Sequence, residues 1–247
     1  MLGACIGGLA ALVLFAPARW LTSRVASGTG GQVLLLDPRG TVWTGSAQFV
    51  LTGGPGSTDA ATLPTRVDWR LRPSITGFRV RLSSACCTPQ PLGMTIGLGL
   101  ASTRVDIPDA TSRWPAAILT GLGTPWNTLQ LEGDLDLHTQ GLKLRWAAGR
   151  MQVDGRAELK AEGVASRLTT VRPMGSYRLV LTGGSVPALQ LNTLGGALQL
   201  TGNGQWVGSR LRFTGEASAA PDRETALSNL LNIIGRRNGA RSIITIG

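Results

Sequence analysis

Three times this chain writes a tryptophan, a short Gly/Ser/Ala/Arg turn and a new alternating run. The copies are Trp43-Thr-Gly-Ser-Ala47, Trp146-Ala-Ala-Gly-Arg150 and Trp206-Val-Gly-Ser-Arg210. Strand side chains alternate between two faces and a tight turn reverses the chain, so this repeat predicts antiparallel strands folding back on one another. It commits most of the chain to a β meander. A mere 15% of residues are charged and 34 are glycine, as turn-rich β proteins require.

The faces can be read strand by strand. Leu129, Leu131, Leu135 and Leu137 share one face, with Gln130, Glu132, Asp134, Asp136 and His138 on the other. Leu142, Leu144 and Trp146 repeat the apolar face beyond Gln140-Gly141, with Lys143 and Arg145 on the polar one. A two-residue turn at Gln140-Gly141 is therefore expected, opposing Asp136 to Lys143 or Arg145. The next run keeps Met151, Val153, Gly155, Ala157, Leu159 and Ala161 on one face, which predicts one long strand with Gly155 letting it curve. Pairing Trp146 with Met151 then brings Lys143 to Asp154 and Leu144 to Val153. In the third copy, Trp206 meets Leu211 and Gln205 meets Arg212.

Upstream, Val67, Trp69 and Leu71 alternate with Arg66, Asp68, Arg70 and Arg72, and Pro73-Ser74 turns the chain into Phe78, Val80 and Leu82, flanked by Arg79 and Arg81. These five arginines read as a solvated face or as a patch for lipid headgroups or an acidic partner. Near the end, Pro221-Asp222 opens a helix whose stripe is Leu227, Leu230, Leu231 and Ile234. Gly235 ends it, Arg236 and Arg237 suit its negative pole, and Ser242–Ile246 reads as a last strand.

Met1 to Ala18 carries no charged side chain, and at ~1.5 Å per residue it spans about 27 Å, the thickness of a bilayer core. Residues 1–21 are read as a transmembrane anchor and 22–247 as the domain it carries. Arg19 and Arg24 locally favour a cytoplasmic domain, although a large domain can cross despite such charges. Cys86 and Cys87 are adjacent, either as two free thiols or as a disulfide that an oxidising compartment would favour.

No catalytic chemistry is assembled in this pattern. Glu132, Asp134 and Asp136 form the polar face of a strand, His138 is the single histidine, and no nucleophile turn, phosphate loop or zinc set accompanies them. No enzyme activity, cofactor or metal is expected. The net charge of +10 is spread without a dense Lys/Arg run, which argues against nucleic acid and leaves an anionic membrane surface or an acidic partner.

Several segments together carry a family resemblance. They are Pro17-Ala-Arg-Trp20-Leu21, Gly30-Gly31-Gln-Val33, Gly40-Thr-Val-Trp43-Thr-Gly45-Ser46-Ala47, Trp69-Arg-Leu-Arg-Pro73, Cys86-Cys87-Thr-Pro89 and Leu230-Leu-Asn-Ile-Ile-Gly235-Arg-Arg-Asn-Gly-Ala-Arg241-Ser-Ile-Ile. The chain resembles the protein N family of the bacterial type II secretion system. The resemblance implies one inner-membrane helix, a periplasmic domain and other secretion components as partners, whether the inner-membrane platform or the secretin. It brings no catalytic residues.

The expected fold class is thus mainly β: a single transmembrane helix, a curved antiparallel meander forming a groove or sandwich, and one C-terminal helix. The repeated amphipathic hairpins are also similar to AsmA-like periplasmic proteins, which supplies a rival reading as a lipid-binding or lipid-transfer groove. A groove would expose Trp69, Leu144, Trp146, Val153 and Trp206 along its inner face, whereas a scaffold would bury them.

Overall fold

A computed structural model describes residues 11, 13–99, 101–147, 150–208 and 210–247. Sixteen strands form one antiparallel sheet. The first half comprises β1 (Val33–Gly40), β2 (Thr44–Thr52), β3 (Ala60–Thr62), β4 (Val67–Ser74), β5 (Gly77–Ser84), β6 (Leu92–Leu98), β7 (Ser102–Ile107) and β8 (Ala110–Pro115). The second comprises β9 (Leu131–Ala147), β10 (Arg150–Ser166), β11 (Gly175–Gly184), β12 (Ala188–Gly196), β13 (Leu198–Val207), β14 (Arg210–Ala219), β15 (Arg236–Asn238) and β16 (Arg241–Ile246). Neighbours in the sheet are almost all neighbours in sequence: β3 and β8 pair off the main path, and β16 lies between β14 and β15. The architecture is a meander in which all the described strands belong to one hydrogen-bonded sheet.

Helices cover parts of its apolar face. Helix α1 (Ala18–Gly28) lays Ala18 and Leu21 on Ala47 and Trp69. A 3-10 helix (Ala116–Leu122) and the single turn α2 (Trp126–Leu129) follow β8. Ile118 of the 3-10 helix packs with Leu63, Val67 and Cys87. Helix α3 (Glu224–Ile234) buries Leu227, Leu230 and Leu231, as its stripe predicts, against Tyr177, Leu198 and Ala217. Three leucines withdrawn from water contribute about 6 kcal/mol, at roughly 2 kcal/mol each. Gly235 ends the helix, but Arg236 and Arg237 belong to β15 and pair with Ile243 and Ser242, so strand pairing places them and not the helix dipole.

Most of the uncharged N-terminal stretch lies outside the described residues, so the expected anchor lies there too. Among the described residues no helix is long and apolar enough to cross a membrane. Residues 18–21, expected at the end of that anchor, form the first turn of α1.

The central pair differs from expectation in one respect. Gln140-Gly141 is not a hairpin turn, because β9 runs unbroken from Leu131 to Ala147 beside an equally long β10. The register moves from Asp154↔Lys143 to Arg156↔Gln140, leaving Gly141 and Leu142 opposite Gly155. This is a β-bulge, which bends the bulged strand and restores face parity after one extra residue. Leu135 and Leu137 therefore share a face with Leu142, Leu144 and Trp146 as collinear residues. Gly155 sits at φ +81, and a Cβ there would meet the Gly141 carbonyl oxygen at 2.2 Å.

Two further differences concern turns. Trp43 precedes β2 directly, and Gly45-Ser46-Ala47 are strand residues, so the first copy of the repeat is not a turn of the other two's kind. The β4–β5 hairpin turns at Ile75-Thr76, because Pro73 pairs with Phe78 and Ser74 with Gly77.

Candidate functional site

One continuous face of the sheet carries the apolar side chains. Register follows it from Trp69↔Leu82 on β4 and β5, through Val105↔Leu144 on β7 and β9, to Leu144↔Val153 on β10. It continues through Leu179↔Leu191 to Trp206↔Leu211 on the last hairpins. The expected pairings Trp146↔Met151, Lys143↔Asp154 and Gln205↔Arg212 are all present.

Trp69 is buried, and its indole nitrogen donates to the Thr41 and Val42 carbonyls at 3.2 and 3.1 Å. Val153 is wholly enclosed. Leu144 and Trp206 are half-buried, and Trp146 is 41% exposed. These five residues thus share a face without lining one open channel. An open depression of ≈ 630 Å³ lies on the opposite face among Thr182, Gln190, Asn203, Gln205, Arg212 and Thr214. A second, ≈ 450 Å³, lies between the 3-10 helix and the start of β9 beside Asp59, Asn127 and Glu132. The first mixes its polar groups with Val180, Ala188, Leu189 and Val207, and it lies on the face opposite Trp69, Leu144, Trp146, Val153 and Trp206, so the lipid-groove reading through those five residues draws no support from it.

The polar face is organised by cross-strand charge. Asp136 pairs neither with Lys143 nor with Arg145; the hairpin that would have brought them together is replaced by the bulge. Its carboxylate accepts from Arg113 Nε at 2.6 Å and Nη2 at 3.1 Å, and Lys160 lies opposite it on β10. That fork further raises the Arg113 pKa. Glu132 is held by Arg172 and approached by Arg167, both in the β10–β11 connection. Strand parity does not reveal these partners, because Arg113 on β8 reaches β9 only through long-range pairing and Arg167 and Arg172 lie in a connection without periodicity. His138 lies between Thr111 and Glu158 in the ladder. Near the N-terminal edge, the Arg66 guanidinium beside Asp37, helped by Arg39, holds its carboxyl below the ordinary carboxylate value. Each acidic cluster thus has a structural partner, and among the described residues no group of three or more His, Cys, Asp or Glu could hold a metal.

Cys86 and Cys87 are joined by a disulfide in the turn after β5. Cys86 is exposed, while Cys87 packs into the small core under the 3-10 helix. The turn is tied down on both sides. The Cys86 amide donates to Thr65 Oγ1 at 3.1 Å and the Arg113 amide to the Cys87 carbonyl at 2.9 Å.

The family model for type II secretion system protein N matches residues 31–244, which takes in the main sheet path except the last two residues of β16. No curated protein and no solved structure gives a significant match. The matched stretch contains the bulged central pair, the disulfide turn and α3, and the chain belongs to the type II secretion system protein N family.

Proposed function

We propose that this chain is a non-catalytic inner-membrane component of the type II secretion machinery, with its sheet standing in the periplasm. Family membership over residues 31–244 carries the reading. Two sequence features agree with it. The first eighteen residues are uncharged and long enough for one bilayer span. The Cys86–Cys87 bond suits an oxidising compartment.

The role is that of a scaffold. The acidic groups Asp37, Glu132 and Asp136 are held by arginines of this same chain, and the sheet offers long surfaces for protein contact. Its partners would be other secretion components, in the inner-membrane platform or the secretin. A reporter enzyme fused after Gly247 tests the orientation. Alkaline phosphatase should be active there and a cytoplasm-dependent reporter silent; the reverse pattern would overturn the placement. Proximity cross-linking in cells from the sheet should capture secretion components; capture of none in secreting cells would overturn the scaffold role.

A further inference from the structure

The two ends of the sheet differ in chemistry. At one end lie the turns after β1, β4, β6, β9, β11 and β13, together with the close of β16. The described N-terminal residues are fastened to the same end. The Val42 amide donates to the Ala16 carbonyl and Trp43 Nε1 to the Val13 carbonyl, both at 2.8 Å. Thirteen large apolar side chains stay exposed among the described residues, and all but Leu36, Trp126 and Leu194 belong to this end. Ile75 stands fully exposed at the β4–β5 tip, and Leu98, Trp146 and Val207 occupy neighbouring tips.

Charge follows the same division. Tip segments 70–81, 98–105, 144–153, 182–190 and 203–213 hold nine of the 24 Lys and Arg and none of the 14 Asp and Glu. The rest of the chain carries 15 Lys and Arg against 14 Asp and Glu, so nearly the whole net charge of +10 resides at these tips. The register also sets arginine against arginine: Arg70↔Arg81, Arg72↔Arg79 and Arg104↔Arg145. Like charges directly opposed weaken a ladder, and among the described residues none of these six makes an ion pair. This surplus calls for an anion from outside the chain.

We propose that this end of the sheet docks on the surface of a bilayer containing anionic phospholipid. The tip side chains enter the interfacial layer and the arginines behind them meet phosphates. Apolar residues in front with cations a few positions behind is the arrangement that interfacial segments use. The residues fastened at this end are contiguous in sequence with the uncharged N-terminal stretch, which favours a bilayer over an acidic protein as the occupant. The inference rests on the membrane placement proposed above, since it needs a bilayer within reach.

The test uses the full chain in lipid nanodiscs carrying brominated phosphatidylglycerol or brominated phosphatidylcholine. Bromine quenches tryptophan on contact, and the difference between wild type and Trp146→Phe isolates Trp146. The difference for Trp126→Phe isolates an exposed tryptophan at the opposite end. Trp146 emission should fall severalfold in phosphatidylglycerol discs while Trp126 emission is unchanged. Because each arginine near an anionic surface is worth about fivefold in binding, Arg72→Glu/Arg79→Glu should restore most of the Trp146 signal, as should ~1 M salt. A circular dichroism spectrum matching wild type establishes that the reversal variant is folded.

Unquenched Trp146 in phosphatidylglycerol discs would overturn docking, and equal quenching in both lipids at every salt concentration would overturn the anionic requirement. Shielding of Trp146 from aqueous acrylamide that rises with protein concentration in detergent would assign this end to a second copy instead. The discs present lipid whichever compartment the domain occupies in cells, so failure here leaves the secretion reading standing. Failure of the reporter fusion would overturn the placement without touching this result.

Discussion

Replacing Gly155 with alanine should destabilise the protein far more than the same change at Gly141. Both glycines have positive φ, +81 and +52, so an alanine at either costs roughly 1–2 kcal/mol in backbone strain. Their surroundings differ. A Cβ on Gly141 meets nothing within 4 Å, whereas one on Gly155 lies 2.2 Å from the Gly141 carbonyl oxygen and 2.7 Å from that of Gln140. Backbone must therefore move by about 1 Å to reach ordinary contact. The flanking pairs Asp154↔Lys143 and Arg156↔Gln140 leave little slack for it. Disrupting two ladder hydrogen bonds at about 1 kcal/mol each brings the Gly155→Ala cost to roughly 3–4 kcal/mol, against about 1–2 for Gly141→Ala. Urea unfolding of the full chain in mild detergent, followed by tryptophan emission, reads both as shifts in midpoint. If Gly141→Ala proves as damaging as Gly155→Ala, the bulge argument is wrong and Gln140-Gly141 acts as a turn.

Other consequences follow from single sites. Val153→Asp buries an unpartnered carboxylate at a fully enclosed position and should cost several kcal/mol, whereas Lys143→Ala on the exposed face should cost under about 1 kcal/mol; thermal melting compares them. Tyr177 is the single tyrosine, it donates to the Leu198 carbonyl at 3.1 Å, and burial pushes its phenol well above the ordinary 10. The fold therefore favours the neutral phenol, a stabilisation present below pH 10 and lost as pH rises beyond it. Phenolate absorbance near 295 nm should appear together with unfolding, and an earlier rise in the folded protein would contradict this. Protein purified without reductant should gain about 2 Da on reduction at Cys86–Cys87, and Cys87→Ser should lower the melting temperature more than Cys86→Ser, because Cys87 alone is packed in a core.

Where a strand's neighbour lies next to it in sequence, period-two parity was enough to set the register. The Trp146 and Trp206 hairpins have the expected pairings because one slipped residue would turn leucines outward along a whole strand. The same logic could not separate a hairpin from a bulge at Gln140-Gly141. Both continue the apolar face after one extra residue, and only the length of β10 opposite decides between them. The partners of Asp136 and Glu132 were hidden for a related reason: Arg113 and Arg172 reach them through non-local pairing and a connection that has no periodicity. Helix α3 was readable from its leucine stripe, while Arg236 and Arg237 were misplaced because dipole preference is weaker than a sheet edge seeking hydrogen bonds. The exposures that distinguish Trp69 from Trp146 depend on which helix covers which part of the face. Alternation along one strand contains no information about that.

Secretion itself remains the most direct measurement. In a strain lacking this gene, enzymes exported by the type II pathway should accumulate in the periplasm, a plasmid copy should restore their release, and a periplasmic leakage marker should stay inside throughout. Undiminished release of those enzymes from the deletion strain would contradict the assignment to the secretion machinery.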